Sequence, residues 1–359
     1  GWDRPLFVYL YHSFFIWTHP LKIRHFKVTP FSIPFVEPLQ TSGMTYSHRE
    51  GVWIQMKWDN FTGAGEASPL PGFSTETLKE VHYALEGFHQ AINGEDLDSE
   101  ELFLLIEIHS QNTPSVRFAL ETAIYDILAK EEELPLAKYL NTNAKSEIAV
   151  NGLAGMHQPG EGFTIMKVKV GFRNLFDEIE NMEYLTKSFG EDIQFRLDCN
   201  GAFDLPKAIR FCKEMEKFNI DYIEQPLPAD NLEDLAELTY HTEIQIAVDE
   251  SLTDFQSAEK IIDEQAAHVF VIKPMVSGGF TECKKIIMLA RTENIRTVIT
   301  SSLETAIGRT ACLHLALTNE ITEACGLATG ELLNEGKPTQ PIHGGKIAIS
   351  GGYGLGIDL

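Results

Sequence analysis

The chain has 359 residues, 43% of them hydrophobic and 23% charged, which is the make-up of a soluble globular protein with room for one large domain and a smaller one. Acidic residues outnumber basic ones by 52 to 29, a formal charge of −23, which argues against nucleic acid or an anionic membrane surface as partner. An anionic substrate would therefore have to be met by local positive charge, and the odd count of five cysteines without a CxxC pair fits a reduced, cytoplasmic protein with ordinary buried thiols.

Residues 1–20 stand apart. The run from Pro5 to Trp17 is crowded with aromatic side chains, yet it is too short to span a bilayer and lacks a small-residue cleavage site. It reads as an appendage with a non-native start rather than as a membrane-associating tail. From Leu21 the pattern predicts strands over 23–33 and 52–59, bridged by the polar, glycine-containing stretch 40–51, and a third strand running towards Glu66. Ser74 or Thr75 is placed to cap a helix that runs to about Ile92, with Gly94 just beyond it. Thr113-Pro114 opens another, with Val116, Leu120, Ile124 and Leu128 at helical spacing. Strands followed by segregated helices predict an α+β capping domain over residues 21–145.

After Ser146 short β-branched runs alternate with amphipathic helices. Strands are expected over 148–151, 165–170, 194–199, 222–225, 244–248, 268–272, 297–300 and 324–327, with helices such as 174–188, 205–217 and 280–293 between them. Eight such units predict an α/β fold, a (β/α) barrel of the TIM type, over residues 146–335. The alternative, a doubly wound open sheet, finds no G-x-G-x-x-G or G-x-x-x-x-G-K-[ST] to support a nucleotide site. The glycine-rich residues 336–359 read as an arm that returns to the capping domain.

Successive barrel strands end in polar residues: Lys169, Asp198, Glu224, Asp249 and Lys273, at steps of 24 to 29 residues, one βα unit each. That spacing would gather all five side chains at the C-terminal mouth of the barrel. Taken singly, each acid could be a helix N-cap or a solvated loop carboxylate, and the run from Met166 to Gly171 could be an edge strand with Lys167 and Lys169 on a wet face. Taken together, three carboxylates repel unless a hard cation sits among them, and oxygen donors without His or Cys select Mg²⁺ or Mn²⁺. A divalent ion bound to a substrate carboxylate would neutralise the charge that develops when the adjacent carbon loses its proton. Lys169 on one side and Lys273 on the other could then each remove or donate that proton, with Lys167 either lowering the pKa of Lys169 as a like charge or serving as electrostatic support.

The segments Lys167-Val168-Lys169, Asp198-Cys199-Asn200, Ile223-Glu224-Gln225-Pro226, Val248-Asp249-Glu250-Ser251 and Ile272-Lys273-Pro274, with residues 65–70 and 115–121 in the capping domain, resemble the enolase superfamily in its muconate-lactonizing-enzyme-like subgroup. Within it, residues 300–308 and 326–330 are most similar to the o-succinylbenzoate synthases, and Ala328-Thr329-Gly330 lacks the Asp-x-Asp usual in dipeptide epimerases. The resemblance implies a Mg²⁺-dependent lyase of menaquinone biosynthesis, a dehydratase forming o-succinylbenzoate from its hydroxycyclohexadiene carboxylate precursor. In it Lys169 would be the base, Lys273 a cation that stabilises the enediolate, and Asp198, Glu224 and Asp249 the metal ligands. Ser301, Ser302 and Arg49, with a mobile loop over 35–49, would contact the succinyl tail and close over the site; the alternative for that loop is a plain hairpin connection. The alternative is a racemase or epimerase of N-acyl amino acids or dipeptides that uses the same two lysines.

Overall fold

The computed structural model describes residues 22–40, 45–336 and 340–357, so the aromatic appendage lies outside the described residues. A three-stranded antiparallel sheet opens the fold: β1 (His25–Gln40), β2 (Thr45–Trp58) and β3 (Phe61–Ala67), in that order. Val52, Ile54 and Met56 alternate inwards along β2 and are fully buried, the period-2 pattern of a sheet with one face on a core. Helices α1 (Leu78–Ile92), α2 (Ser99–His109), α3 (Pro114–Glu131) and α4 (Leu136–Leu140) follow. Helix α3 presses directly on β3. A Cβ built on Gly63 would stand 1.9 Å from the Ala123 carbonyl oxygen and one on Gly65 2.1 Å from that of Ala119, so only glycine admits the approach.

Three expectations shift here. Helix α1 starts at a capping box of Thr77 and Glu80 rather than at Ser74, whose hydroxyl accepts from Leu70 N. Helix α2 was not anticipated, although Asp98 and Glu101 form a capping box at its start. The expected loop over 35–49 is strand wherever it is described: β1 and β2 run on as a long hairpin, and residues 41–44 lie outside the described residues. Prolines at 30, 34 and 38 are tolerated because β1 is an edge strand. The outer half of that hairpin is held down by a bridge from Phe35 to Leu333 and by Asn334 N donating to Pro34 O at 2.9 Å.

The second unit is a curled parallel sheet of seven strands: β5 (Gly152–Leu153), β6 (Ile165–Lys169), β7 (Gln194–Asp198), β8 (Ile220–Glu224), β9 (Gln245–Val248), β10 (Val269–Ile272) and β11 (Arg296–Ile299), each beside its sequence neighbour. The ring is closed by two residues. Cys325 bridges Val150 and Gly326 bridges Thr300, both parallel, so the expected eighth strand is reduced to a pair of bridges. The first barrel strand is likewise displaced, because β4 (Glu147–Ala149) pairs instead with β12 (Lys346–Ala348) of the C-terminal arm. The architecture is the expected barrel with an α+β unit, and the open doubly wound sheet is excluded by the closure.

The arm beyond β12 reaches helices α3 and α4. Leu355 N donates to Asp126 at 2.7 Å, and Gly354 exchanges backbone hydrogen bonds with Leu134 and Leu136. Among the described residues no helix is long and apolar enough to cross a membrane.

Candidate active site

Parallel register aligns the strand ends. Lys169 lies opposite Asp198, and Asp198 opposite Glu224; Asp249 and Lys273 each follow directly after the last residue of their strands. The strand order then sets the three acids, on β7, β8 and at the end of β9, between the lysine of β6 and the lysine after β10. A buried Gln225, held at φ 40°, ties two of these ends together: its side-chain oxygen accepts from Asp249 N at 3.0 Å and Ser251 N at 3.1 Å, and its amide donates to Ser251 Oγ at 2.8 Å.

The three lysines are in different states. Lys167 Nζ sits 2.7 Å from Glu224 Oε1 and 3.0 Å from Asp198 Oδ2, and its side chain is 18% exposed. Burial opposes its charge, but Asp198 and Glu224 outweigh that and hold the ammonium well above its ordinary pKa. Lys167 is thus placed as a counter-ion for the acids, in line with the electrostatic-support alternative. Lys273, 17% exposed, contacts Asp249 Oδ2 at 2.5 Å and faces the Phe73 ring at 5.5 Å. Burial again lowers its pKa and Asp249 raises it more, leaving it above the ordinary value. Lys169 is 57% exposed, stands 3.7 Å from Asp198 and donates to Asn200 Oδ1.

On the acids, burial raises the pKa of Asp198 but Lys167 and Lys169 pull it below the usual value. Glu224 is pushed up to about 8, by burial first and then by Asp198 and Asp249, against the pull of Lys167. Its Oε2 is buried with no hydrogen-bond partner among the described residues. Among the described residues no three acids, His or Cys close a metal shell by themselves, because lysine ammonium groups stand against the carboxylates. The donor chemistry nevertheless fits a hard divalent cation: three buried carboxylates, no sulfur or imidazole, and an orphaned carboxylate oxygen on the middle strand.

The candidate substrate contacts fare differently. Arg49 is buried, and its guanidinium donates to the carbonyls of Leu303 at 2.9 Å, Pro69 at 3.1 Å and Ser302 at 3.3 Å, and to that of Ser68. Those bonds tie the capping unit to the loop after β11, so its geometry is that of a brace and not of a group presented to a ligand. Ser301 Oγ is engaged by Thr329 Oγ1 at 2.7 Å, whereas Ser302 Oγ is buried without a partner among the described residues. Ala328 and Thr329, at the eighth strand end, are buried and uncharged. In the loop after β11, Glu304 accepts from Ser302 N at 2.8 and 2.9 Å.

Three groups were missed by reading strand ends alone. Asn200, Glu250 and Phe73 reach the lysines from loops, and only the two that lie within the motif segments Asp198-Cys199-Asn200 and Val248-Asp249-Glu250-Ser251 left a signal in the sequence.

Residues 154–359 match the family described as enolase C-terminal domain-like, and residues 23–127 match the MenC N-terminal domain. The chain is 30% identical over 318 residues to an L-amino acid-D/L-Glu epimerase of Francisella philomiragia, covering 84% of this chain and 89% of that protein. It is 25% identical to an o-succinylbenzoate synthase of Desulfotalea psychrophila, covering 88% and 96%. A dipeptide epimerase from Enterococcus faecalis V583, solved with Mg and the dipeptide L-Leu-L-Tyr, superposes with a TM-score of 0.84 at 25% identity, covering 95% of this chain and all of that one.

Proposed function

The chain belongs to the enolase superfamily, and on that premise we propose that it is a racemase or epimerase acting at the carbon α to a carboxylate, on an amino acid whose nitrogen is acylated. The observation that carries this reading is the strand order, which sets Lys169 and Lys273 on either side of the three acids. One lysine takes the α-proton as a neutral amine while the electron pair passes into the carboxylate, and the opposite ammonium returns a proton to the other face. Nothing is oxidised or reduced, and the two bases exchange protonation states. Asp198, Glu224 and Asp249 would hold Mg²⁺, which supplies charge neutralisation at the substrate carboxylate.

Support for the epimerase class comes from the greater identity to epimerases than to the synthase. We take the far end of the substrate to lie against the uncharged Ser302, Ala328 and Thr329, which favours an acyl group over a free ammonium there, since a buried ammonium needs a carboxylate partner. A second reading, dehydration to o-succinylbenzoate, is supported by the MenC match over residues 23–127 and by the Desulfotalea relative.

A substrate panel with Mg²⁺ separates them: N-succinyl amino acids, L-Ala-L-Glu and other dipeptides followed by polarimetry, and the hydroxycyclohexadiene carboxylate followed by ultraviolet absorbance. Inversion of N-succinyl substrates is expected at least about tenfold above dipeptides in kcat/KM, the scale of one missing charge partner. Turnover of the cyclohexadiene alone would overturn it.

A further inference from the structure

The three lysines are not equally restrained. Lys167 is locked by two carboxylates, and Lys273 by Asp249 and the Phe73 ring. Lys169 is the exposed one, and among the described residues the only hydrogen bond from its ammonium goes to Asn200 Oδ1. A long side chain with that much freedom has rotamer entropy to lose before its head is in place.

Asn200 is itself held from two directions. Its backbone sits at φ 45°, a left-handed conformation that asparagine tolerates better than most residues, and its N–H donates to Asp198 Oδ1 at 3.3 Å. Its side-chain Nδ2 donates to Glu250 Oε1 at 2.8 Å. Glu250 Oε1 accepts from Nδ2, which turns that end of the amide towards Glu250 and leaves Oδ1 facing Lys169. An amide turned the other way would present N–H groups to the ammonium and push it from the site.

We propose that Asn200, set by Glu250, is a positioning residue that aims Lys169 Nζ at the substrate α-carbon, while Lys273 does not depend on it. This rests on the two-lysine reading above. It makes the two faces of the reaction separately sensitive, because only the face served by Lys169 uses the bridge.

The test is α-proton exchange in D₂O with Mg²⁺, followed by NMR on each enantiomer of an N-succinyl amino acid. Lys169→Ala identifies which enantiomer gives its proton to Lys169. Asn200→Ala should then slow exchange of that enantiomer about tenfold more than exchange of the other, the scale at which a misplaced reacting group costs rate. Asn200→Gly suits the positive φ of that position and should give the same asymmetry; it carries the test alone if Asn200→Ala does not fold. Equal slowing of both enantiomers in the folded variant would overturn the positioning role while leaving the two-base reading standing. Absence of exchange from either enantiomer by the parent protein would remove both.

Discussion

At the scale of single residues, the acids define what the site can hold. Glu224 has a pKa near 8 and an unpartnered oxygen, so without a cation the cluster is under-compensated. Mg²⁺ should therefore stabilise the folded protein by binding it and not the unfolded chain. The thermal midpoint is expected to rise with added Mg²⁺ and fall back on chelation, and Glu224→Gln should lose most of that rise; an undiminished Mg²⁺ shift in the variant would show that the ion binds elsewhere. The five strand-end residues were legible in sequence because each βα unit contributes one of them at a regular step. Asn200 and Glu250 were visible only as members of their motif segments; their partnership was not, because the bonds from Asn200 to Glu250 and from Lys169 to Asn200 span 50 and 31 residues and exist only once the strands are side by side. Arg49 misled for a related reason: an arginine in a polar stretch looks like a ligand contact until its carbonyl partners are seen.

Among the elements, the helix after β11 (Ala306–Thr318), called α11 here, joins the parts of the molecule. At its start Thr305 makes no side-chain cap, and Glu66 of β3 takes that place, accepting from Thr305 N at 3.0 Å, Gly308 N at 3.0 Å and Thr305 Oγ1 at 2.5 Å. Further along, His314 Nδ1 accepts from Ala137 N of α4 at 3.0 Å, and its Nε2 faces Leu355 O of the arm at 3.4 Å. Burial lowers its pKa to about 4. The unfolded chain, at about 6.5, binds the proton more readily, so the contribution is complete above pH 6.5 and is lost as pH falls towards 4, by about 3 kcal/mol in all. Between pH 7 and pH 4 the parent should lose about that much more stability to urea than His314→Gln; equal losses would contradict the assignment. The helix and strand grammar of the barrel was readable from alternation, but the two ends of the ring were not. Whether 147–149 pairs within the barrel or with 346–348 depends on a partner nearly two hundred residues away, which local pattern does not encode.

For the whole molecule, the capping unit and barrel are fastened at the mouth by the same loop that borders the site. Arg49 and Glu66 reach across to residues 302–308, and Trp53 Nε1 donates to Thr305 Oγ1 at 3.0 Å. The hairpin of β1 and β2 is pinned near Phe35 by its bridge to Leu333 and by the bond from Asn334 N to Pro34 O, where the sequence suggested a mobile loop or a plain hairpin connection. The central claim is that two lysines serve opposite faces of one carbon. The most direct measurement is α-proton exchange in D₂O for both enantiomers of an N-succinyl amino acid, catalysed by Lys169→Ala and by Lys273→Ala in turn. Each variant should retain exchange of one enantiomer and lose the other by about a hundredfold or more, with the retained enantiomer reversed between the two, as expected when a general base is removed. Loss of both enantiomers in one variant and of neither in the other would contradict it.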